Sequence, residues 1–233
     1  MIVSISQPAY LPWLGYFDRI YRSDVHIILN DVKLDRSSKT RFTNRNKIKT
    51  KQGPLWLTVP VIKAGQGQPY IYEIKLEKDS RWAKKHLGIL FHNYSQTKYF
   101  LDHKNWFEWF YMENWNRLET LLDNSTNYLM EVLGIDIPMI KSSKMMAKGK
   151  KSDYILNLCI EAGATQYLSG PFGRDYLDLK KFEEKGIKIE FHDYSHPKYQ
   201  QIHGEFVPYM SIVDLILNEG PKSLEILIGR SNK

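Results

Sequence analysis

The 233 residues, of which 42% are hydrophobic and 25% charged, are enough for one sizeable core, and we predict a single domain. No run approaches the roughly 18 apolar residues of a membrane-spanning helix, no leader precedes the first strand, and the single cysteine, Cys159, excludes an intramolecular disulfide, so we expect a cytoplasmic protein without a membrane span. The net charge of +7 favours anionic partners, but no zinc-finger spacing, RNA-recognition signature or basic tail favours nucleic acid.

The first predicted elements are a strand at residues 2–6 and a helix at about 13–22. The segment QPAYLPWLGYF, residues 7–17, is predicted to be a shaped loop, because Pro8 and Pro12 each fix the backbone and remove a donor. Open α/β sheets bind ligands at loops that follow the carboxyl ends of strands. The candidate substrate contacts in this loop are Gln7, Tyr10 and Trp13, with the two aromatic rings packing on substrate rings. The alternative is a structural connection whose aromatics cover the core.

A second predicted strand, residues 25–30, leads to Asp31, which is the candidate general base. Proton removal by a positioned carboxylate typically accelerates a reaction by about 100- to 10,000-fold. The basic run that follows, residues 33–51, has no apolar period to bury. Guanidinium and amide groups suit oxygen-rich ligands, so part of this run is predicted to hold a diphosphate or another anion. The predicted anion contacts in this run are Arg36, Arg41, Asn44, Arg45 and Asn46.

The remaining chain predicts an α/β protein with a mostly parallel, Rossmann-like sheet flanked by helices. Further strands are predicted at residues 55–61, 71–76, 164–169 and 187–191, and further helices at 153–162, with Ser152 as N-cap, and at 209–217. Residues 65–69 read as a turn. Apolar and aromatic residues at helical spacing over 81–133 predict a largely helical segment, about residues 80–135, packed on the same domain. Cys159 lies in a helical apolar pattern and is interpreted as a buried, inert thiol.

A strand, a glycine turn and a helix recur around Ser169 and Gly170, as in the first loop. These two residues are candidate ligand contacts, because glycine opens the backbone and the hydroxyl and amide groups can hydrogen-bond a ligand. A tight structural turn is the alternative. On the last helix, Asp214 lies in line with Ser211 and Asn218, which indicates either a buried polar network that orients other site residues or an exposed stripe. No metal-ligand spacing stands out, and we predict no required metal.

Six motifs, in this order, resemble the WbqC-like protein family. They are ISQPAYLPWLGYFDRI, LNDVKLDR, TNRNKIKT and WLTVPV in the first half, and YLSGPFGRDYLD and FVPYMSIVDLILNEGP in the second. The fifth motif adds Tyr176 to the candidate substrate contacts. Members of this family are typically met in bacterial gene clusters for surface polysaccharides, so the resemblance implies a pathway more firmly than a reaction.

In that setting the leading hypothesis is a transferase of O-antigen-type lipopolysaccharide biosynthesis. It would move an acyl or aminoacyl group from a thioester to the amine of a nucleotide-linked amino sugar. The expected partners are that sugar and a donor carried on coenzyme A or on an acidic acyl carrier protein, with no tightly bound cofactor. The sequence leaves the oligomeric state open.

Two alternatives remain. The chain could be a non-catalytic module that binds a nucleotide sugar or a carrier protein within a glycan assembly complex, since no recognised nucleophile or metal site is present. It could also resemble a nucleotidyltransferase, with the loop after the first strand gripping a triphosphate. The paired histidines usual at the helix start of such sites are absent here, which disfavours that interpretation.

Overall fold

The computed structural model describes residues 1–34, 42–62 and 68–229. The chain forms two compact units, each assembled from separate stretches of sequence. Unit 1 comprises Met1–Pro8, Tyr16–Val32 and Asp136–Ser195, and unit 2 comprises Ala9–Gly15, Lys33–Ile135 and His196–Lys233. The single domain predicted from chain length stays a prediction. Within the described ranges no helix combines the length and apolar character needed to cross a membrane.

In chain order the described strands are β1 (Ile2–Ser6), β2 (Val25–Ile28), β3 (Arg45–Thr50), β4 (Gly53–Thr58), β5 (Met139–Lys141), β6 (Gln166–Ser169) and β7 (Lys188–Phe191). The described helices are α1 (Leu14–Tyr21), α2 (Arg81–Tyr94), α3 (Phe100–Met112), α4 (Leu118–Leu133), α5 (Lys151–Glu161), α6 (Leu179–Glu184), α7 (Ile212–Glu219) and α8 (Ser223–Leu227). Short 3-10 helices occupy Ile71–Glu73, Ser142–Lys144, Pro171–Asp175 and Gly220–Lys222.

Unit 1 is built on a parallel sheet in the order β5-β2-β1-β6-β7. The chain moves outward from β1 to β2 and β5, then returns to the other side of β1 to form β6 and β7, so the strand order reverses between β1 and β6. Val3, in the central strand, pairs with Val25 and Tyr167 and is fully buried. Near-continuous apolar strands of this kind are typical of covered parallel sheets. The predicted α/β class with a parallel sheet is confirmed.

Unit 2 contains the helical middle region, which is also confirmed. Helices α2, α3 and α4 cover most of residues 81–133, and they bury many of the apolar positions that helical spacing predicted, although Trp109 is exposed. The fully buried side chains of this region include Leu90, Phe107, Phe110, Leu121 and Leu129. The β-hairpin of β3 and β4 also belongs to this unit and pairs Ile48 with Leu55.

Strand β3 corrects the interpretation of residues 33–51 as a run with nothing to bury. Ile48, Lys49 and Thr50 are all buried, although two of the three are polar. The burial of Lys49 is offset by hydrogen bonds, since its backbone N–H donates to the Tyr94 hydroxyl at 2.9 Å and its ammonium donates to the Glu205 carbonyl. These partners are distant in sequence, so the apolar periodicity of the run alone could not reveal the strand.

Other boundaries differ for local reasons. Strand β4 ends at Thr58, two residues before Pro60, which lacks the N–H that a central ladder needs. The strand predicted at 71–76 is instead the 3-10 helix Ile71–Glu73, held at its start by a hydrogen bond of 2.9 Å from the Tyr70 N–H to the Glu73 carboxylate.

Helix α5 begins at Lys151, so Ser152 is not its N-cap. The Ser152 hydroxyl lies inside the helix and accepts a hydrogen bond of 2.8 Å from the Asp178 N–H. Part of the predicted turn at 65–69, namely residues 65–67, and the predicted anion contacts Arg36 and Arg41 lie outside the described residues.

Candidate functional site

Polar residues end or follow every strand of the parallel sheet in unit 1. They are Gln7 after β1, Asn30 and Asp31 after β2, Ser142 after β5, Ser169 and Gly170 at the end of β6, and His192 after β7. In parallel α/β sheets ligands bind outside the carboxyl ends of the strands, at the point where the strand order reverses. Here that point lies between β1 and β6, next to Gln7 and Gly170. We call this set of residues the carboxyl edge.

Arg19 of α1 reaches the carboxyl edge beside Gly170. A β-carbon on residue 170 would collide with Nη1 of Arg19, so glycine is the residue that permits this approach. Nε of Arg19 is buried without a hydrogen-bond partner, and no carboxylate of the described residues lies within ion-pair distance of the guanidinium. The side chain as a whole is partly buried, and a cation that loses part of its hydration without a partner is unusual, because that loss is costly. The structure therefore leaves a positive charge available at the reversal point of the sheet.

Tyrosines surround this arginine. Burial lowers the pKa of the Arg19 guanidinium, and the neighbouring phenols of Tyr167, Tyr16 and Tyr176 act in the opposite direction. Tyr176 is 45% exposed and so reaches the surface, while Tyr167 is buried. Of the predicted contacts, Gly170 and Tyr176 therefore lie close to Arg19, and Ser169 directly precedes Gly170. Sequence reasoning did not select Arg19.

Ser169 itself is completely buried, and its hydroxyl donates to the Gly170 carbonyl at 3.1 Å. Gly173 packs so closely that a β-carbon there would overlap the Ser169 hydroxyl. The Ser169 side chain therefore shapes the turn into the 3-10 helix Pro171–Asp175, and the open surface of this turn lies at Gly170.

Asp31 accepts two hydrogen bonds from hydroxyl groups. Ser142 Oγ donates to Oδ1 at 2.5 Å, and the Tyr154 hydroxyl donates to Oδ2. Burial, followed by the hydrogen bond to Asp31, raises the pKa of Tyr154, so the phenol keeps its proton at neutral pH. The buried Asn30 completes the cluster, since its Oδ1 accepts from the Ser143 N–H at 3.0 Å. This arrangement fixes the Asp31 carboxylate between the ends of β2 and β5.

A second acid at the carboxyl edge is paired with a histidine. Asp18 of α1 lies 2.6 Å from Nε2 of His192 and 2.7 Å from Nε of Arg22. Burial favours the neutral acid, but the hydrogen bonds from His192 and Arg22 prevail and lower the pKa of Asp18. The other oxygen, Oδ1, is buried without a hydrogen-bond partner. Nδ1 of His192 makes no hydrogen bond to any described residue, so the imidazole is held by a carboxylate on one side only.

His26 lies within the sheet, in β2, and is close enough to Arg19 to feel its charge. Its Nδ1 is 2.7 Å from Ser4 Oγ and its Nε2 is 3.0 Å from Ser6 Oγ. Complete burial, and secondarily the positive charge of Arg19, lower the pKa of His26 to about 3. His26 is therefore neutral at physiological pH and adds no charge to the positive field of Arg19.

The remaining predicted contacts belong to unit 2. Tyr10 is completely buried, and its hydroxyl lies 2.5 Å from the Tyr111 hydroxyl and 3.0 Å from Nδ1 of His86. Trp13 is half-buried, and its ring centre lies 5.8 Å from that of Tyr209. Of the aromatic pair predicted to pack on substrate rings, Trp13 alone has exposed surface.

The predicted anion contacts in β3, and Asn44 directly before it, hydrogen-bond or pack against protein groups. The buried Asn46 donates to the Leu11 carbonyl at 2.6 Å and accepts from the Lys47 N–H. The Arg45 guanidinium lies 4.4 Å from the ring centre of Trp56, which is a cation–π distance. Asn44 donates to the Val59 carbonyl at 2.8 Å, and its Oδ1 is buried without a partner.

Asp214 lies in a buried polar network, one of the two arrangements that its spacing on the helix indicated. Its carboxylate accepts hydrogen bonds of 2.7–2.8 Å from Tyr94, Tyr199 and Gln201. Burial raises the pKa of Asp214 in spite of these donors. Ser211 instead caps α7 by accepting from the Val213 N–H.

Sequence reasoning missed Arg19, Asp18 and His192. One signal was present, since His192 directly follows a predicted strand in the same way as Asp31 follows another. Arg19 gave no such signal, because an arginine next to an aspartate in a helix reads as an ordinary surface charge. In residues 1–34, 42–62 and 68–229 no group of three histidine, cysteine, aspartate or glutamate side chains is placed to hold a metal.

Comparison with known proteins agrees with the motifs. The model of the WbqC-like protein family matches residues 7–226. The chain is also 36% identical over 227 residues to "Uncharacterized protein Rv1507c" of Mycobacterium tuberculosis (strain ATCC 25618 / H37Rv), and the match covers 97% of this chain and 96% of that protein. No solved structure matches the chain. The chain belongs to the WbqC-like protein family.

Proposed function

We propose that this protein is a transferase of bacterial surface-glycan biosynthesis that places an acyl or aminoacyl group on the amine of a nucleotide-linked amino sugar. The observation that carries the proposal is the Arg19 guanidinium, which is desolvated, lacks a carboxylate partner and faces Gly170 at the reversal point of the sheet. The family resemblance supplies the glycan context. The carboxyl edge supplies the chemistry.

Arg19 suits a phosphate group. A guanidinium donates up to five hydrogen bonds in a fixed plane and pairs with phosphate oxygens in two-pronged fashion. The neutral His26 near it and the phenols around it do not compete for that charge. Binding of a diphosphate here would replace the hydration that Arg19 loses on folding, and Gly170 leaves room for the guanidinium itself to reach this position.

The reaction has a simple balance. The sugar amine attacks the thioester carbonyl, a C–N bond forms, the C–S bond breaks, and the thiolate leaves with the electron pair. The amine loses one proton, which a base at the carboxyl edge must accept. We assign this role to Asp31, which the hydroxyls of Ser142 and Tyr154 hold in a fixed orientation at the end of β2.

His192 is the second candidate for the base. Its imidazole is oriented by the Asp18 carboxylate, and an acid–histidine pair of this kind holds the ring in one tautomer and stabilises its protonated form. The two assignments are distinguished by substitution of each residue.

The experiment is a thiol-release assay with acetyl-coenzyme A and a panel of uridine and thymidine diphosphate amino sugars. Thiol release that requires the amino sugar supports the proposal, and Arg19→Met should weaken the apparent affinity for the sugar nucleotide by about 10- to 100-fold. Arg174→Met is the matched control, because that arginine forms an exposed pair with Asp193. Asp31→Asn and His192→Asn identify the base, because the substitution that removes it should abolish the thiol release that depends on the amino sugar.

A binding role without catalysis is the second candidate function. Both Asp31 oxygens already accept hydroxyl hydrogen bonds, which leave fewer of their lone pairs open to a substrate amine. In that case the sugar nucleotide should raise the melting temperature of the wild type but not of Arg19→Met, while no donor releases a thiol. Pyrophosphate release that depends on magnesium would instead favour a nucleotidyltransferase. No thermal shift with any sugar nucleotide would contradict both proposals.

A further inference from the structure

Unit 2 contains a cavity of about 470 Å³, a size common for small-molecule sites. Most of its wall is apolar and comes from β4, the segment that follows it, and α2. Two indoles, Trp56 and Trp82, take part in this wall. Its polar side chains include Asn44, His86, Glu77 and Lys85, and the last two carry opposite charges. We call this the hairpin cavity.

His86 presents one defined hydrogen-bonding group. Its Nδ1 is bonded to the Tyr10 hydroxyl, which is bonded to the Tyr111 hydroxyl. In the described residues the Tyr111 hydroxyl has no other acceptor, so Tyr111 donates to Tyr10 and Tyr10 donates to Nδ1. The remaining proton of a neutral imidazole then lies on Nε2. Burial lowers the pKa of His86 to about 4, so the ring is neutral at physiological pH and Nε2 is a hydrogen-bond donor.

Nε2 of His86 makes no hydrogen bond to a described residue, so the protein leaves this donor unused. Asn44 also lies in the cavity wall, but its amide nitrogen donates to the Val59 carbonyl and its Oδ1 is enclosed by protein atoms. The defined polar contact that the cavity offers to a ligand is therefore His86.

The combination narrows the class of ligand. Trp82 and the face of Trp56 that Arg45 does not cover offer flat apolar surfaces, and His86 offers one donor. A planar heterocycle whose edge carries a hydrogen-bond acceptor matches these features, and nucleobases have such edges. Stacking of a base on an aromatic side chain is worth about 1–3 kcal/mol in nucleic-acid complexes, which makes flat indoles suitable walls.

We propose that the hairpin cavity is a nucleoside site in which Trp56 and Trp82 hold the base and Nε2 of His86 donates to it. The proposal goes beyond the transferase function, because it rests on described residues of unit 2 alone. It would stand if no acyl transfer were found.

The test uses free nucleosides, which contain no phosphate and therefore do not probe Arg19. Uridine, cytidine, adenosine and guanosine are titrated against the full-length protein, with tryptophan fluorescence and calorimetry as readouts and ribose as the control ligand. At least one nucleoside should bind saturably and more tightly than ribose by tenfold or more. Absence of saturable binding by all four nucleosides, or equal binding of ribose, would overturn the proposal.

Two substitutions of His86 separate its ring nitrogens. His86→Asn places an amide near the position of Nδ1 and removes the group at Nε2, whereas His86→Gln extends an amide to the position of Nε2. We expect His86→Asn to weaken nucleoside binding about tenfold and His86→Gln to weaken it less. His92→Asn is the matched control, because His92 lies on the same helix and does not line the hairpin cavity.

Equal affinities of the wild type and His86→Asn would also overturn the proposal. If His86→Asn does not fold, the ¹⁵N signal of Nε2 in the labelled wild type gives the same test, since it must shift on titration with the nucleoside and must not shift with ribose. An unchanged signal in the presence of a binding nucleoside would place the base elsewhere and refute the assignment.

Discussion

The two units treat buried charge in opposite ways. In unit 2 the Asp214 carboxylate is surrounded by three donors, and the buried Lys49 donates to a carbonyl. In unit 1 Nε of Arg19 and Oδ1 of Asp18 are buried without partners. A satisfied network adds stability and rigidity, whereas an unsatisfied group costs stability until a ligand or water meets it. The contrast supports a role of the Asp214 network in the fold, and it supports the proposal of a ligand site at the carboxyl edge.

The largest expected effect is that of Asp214→Ala. The change leaves the hydroxyls of Tyr94 and Tyr199 and the amide of Gln201 without their acceptor, and we expect it to lower the free energy of unfolding by about 3 kcal/mol. Urea denaturation measures this change. The control is Asp193→Ala in unit 1, where an exposed pair with Arg174 is worth less than about 1 kcal/mol. Similar losses of unfolding free energy in the two variants would contradict the stabilising role of the Asp214 network.

Acidification should lower the free energy of unfolding through one buried histidine in each unit. The pKa of His26 is about 3 in the folded chain, well below its ordinary value near 6.5, so at pH 5 the unfolded chain binds a proton that the folded chain does not. Stability is therefore lost as pH falls below 6.5, by about 2 kcal/mol between pH 7 and pH 5 for this residue. Denaturation curves across this range measure the loss.

His86 of unit 2, with its pKa lowered to about 4, should contribute a similar loss over the same range. His26→Asn and His86→Asn each should remove about one proton from the pH dependence of unfolding. A pH dependence that neither substitution changes would show that other groups control acid stability.

Arg19→Met should change the free energy of unfolding in the direction opposite to Asp214→Ala. Methionine retains the apolar stem but removes a desolvated charge that has no carboxylate partner, so we expect the free energy of unfolding to rise by about 1 kcal/mol. The same variant should lose affinity for sugar nucleotides. A stability loss comparable to that of Asp214→Ala would mean that Arg19 serves the fold and not a ligand.

Gly170→Ala should have the smallest effect on stability. The φ angle of −67° at Gly170 suits any residue, so the cost comes from displacing the flexible end of Arg19 and should stay below about 1 kcal/mol. Anion binding at Arg19, measured with pyrophosphate, should nevertheless weaken. Gly88→Ala is the control, because that helical position is open and alanine should stabilise it by about 0.5–1 kcal/mol.

The sequence predicted those parts of the fold whose signals are local. Apolar runs bounded by turn residues located β1, β2, β6 and β7, and helical spacing located the middle helices. Strand β3 was missed, because the burial of Lys49 depends on Tyr94 and Glu205, which lie far along the chain. Local pattern carries no information about such partners.

The candidate site was predictable to the same extent. Asp31, Ser169 and Gly170 stood out because they lie where strands end, and any parallel sheet gathers strand ends at one edge. The pairing of Asp18 with His192 joins residues 174 positions apart, and the lack of a partner at Arg19 is a property of its whole surroundings. Neither can be read from neighbouring residues.

The position of β1 in the sheet affects how the chain must be made. β1 ends at Ser6, yet its neighbour β6 begins at Gln166, which is 160 residues later. At synthesis rates of about 5–20 residues per second, roughly 10–30 seconds pass between the emergence of the two strands. One edge of the apolar β1 stays unpaired during that time, and pairings across long loops form slowly. The central strand of unit 1 is thus the first to be made and among the last to be completed, so the nascent chain relies on β2 alone to protect it.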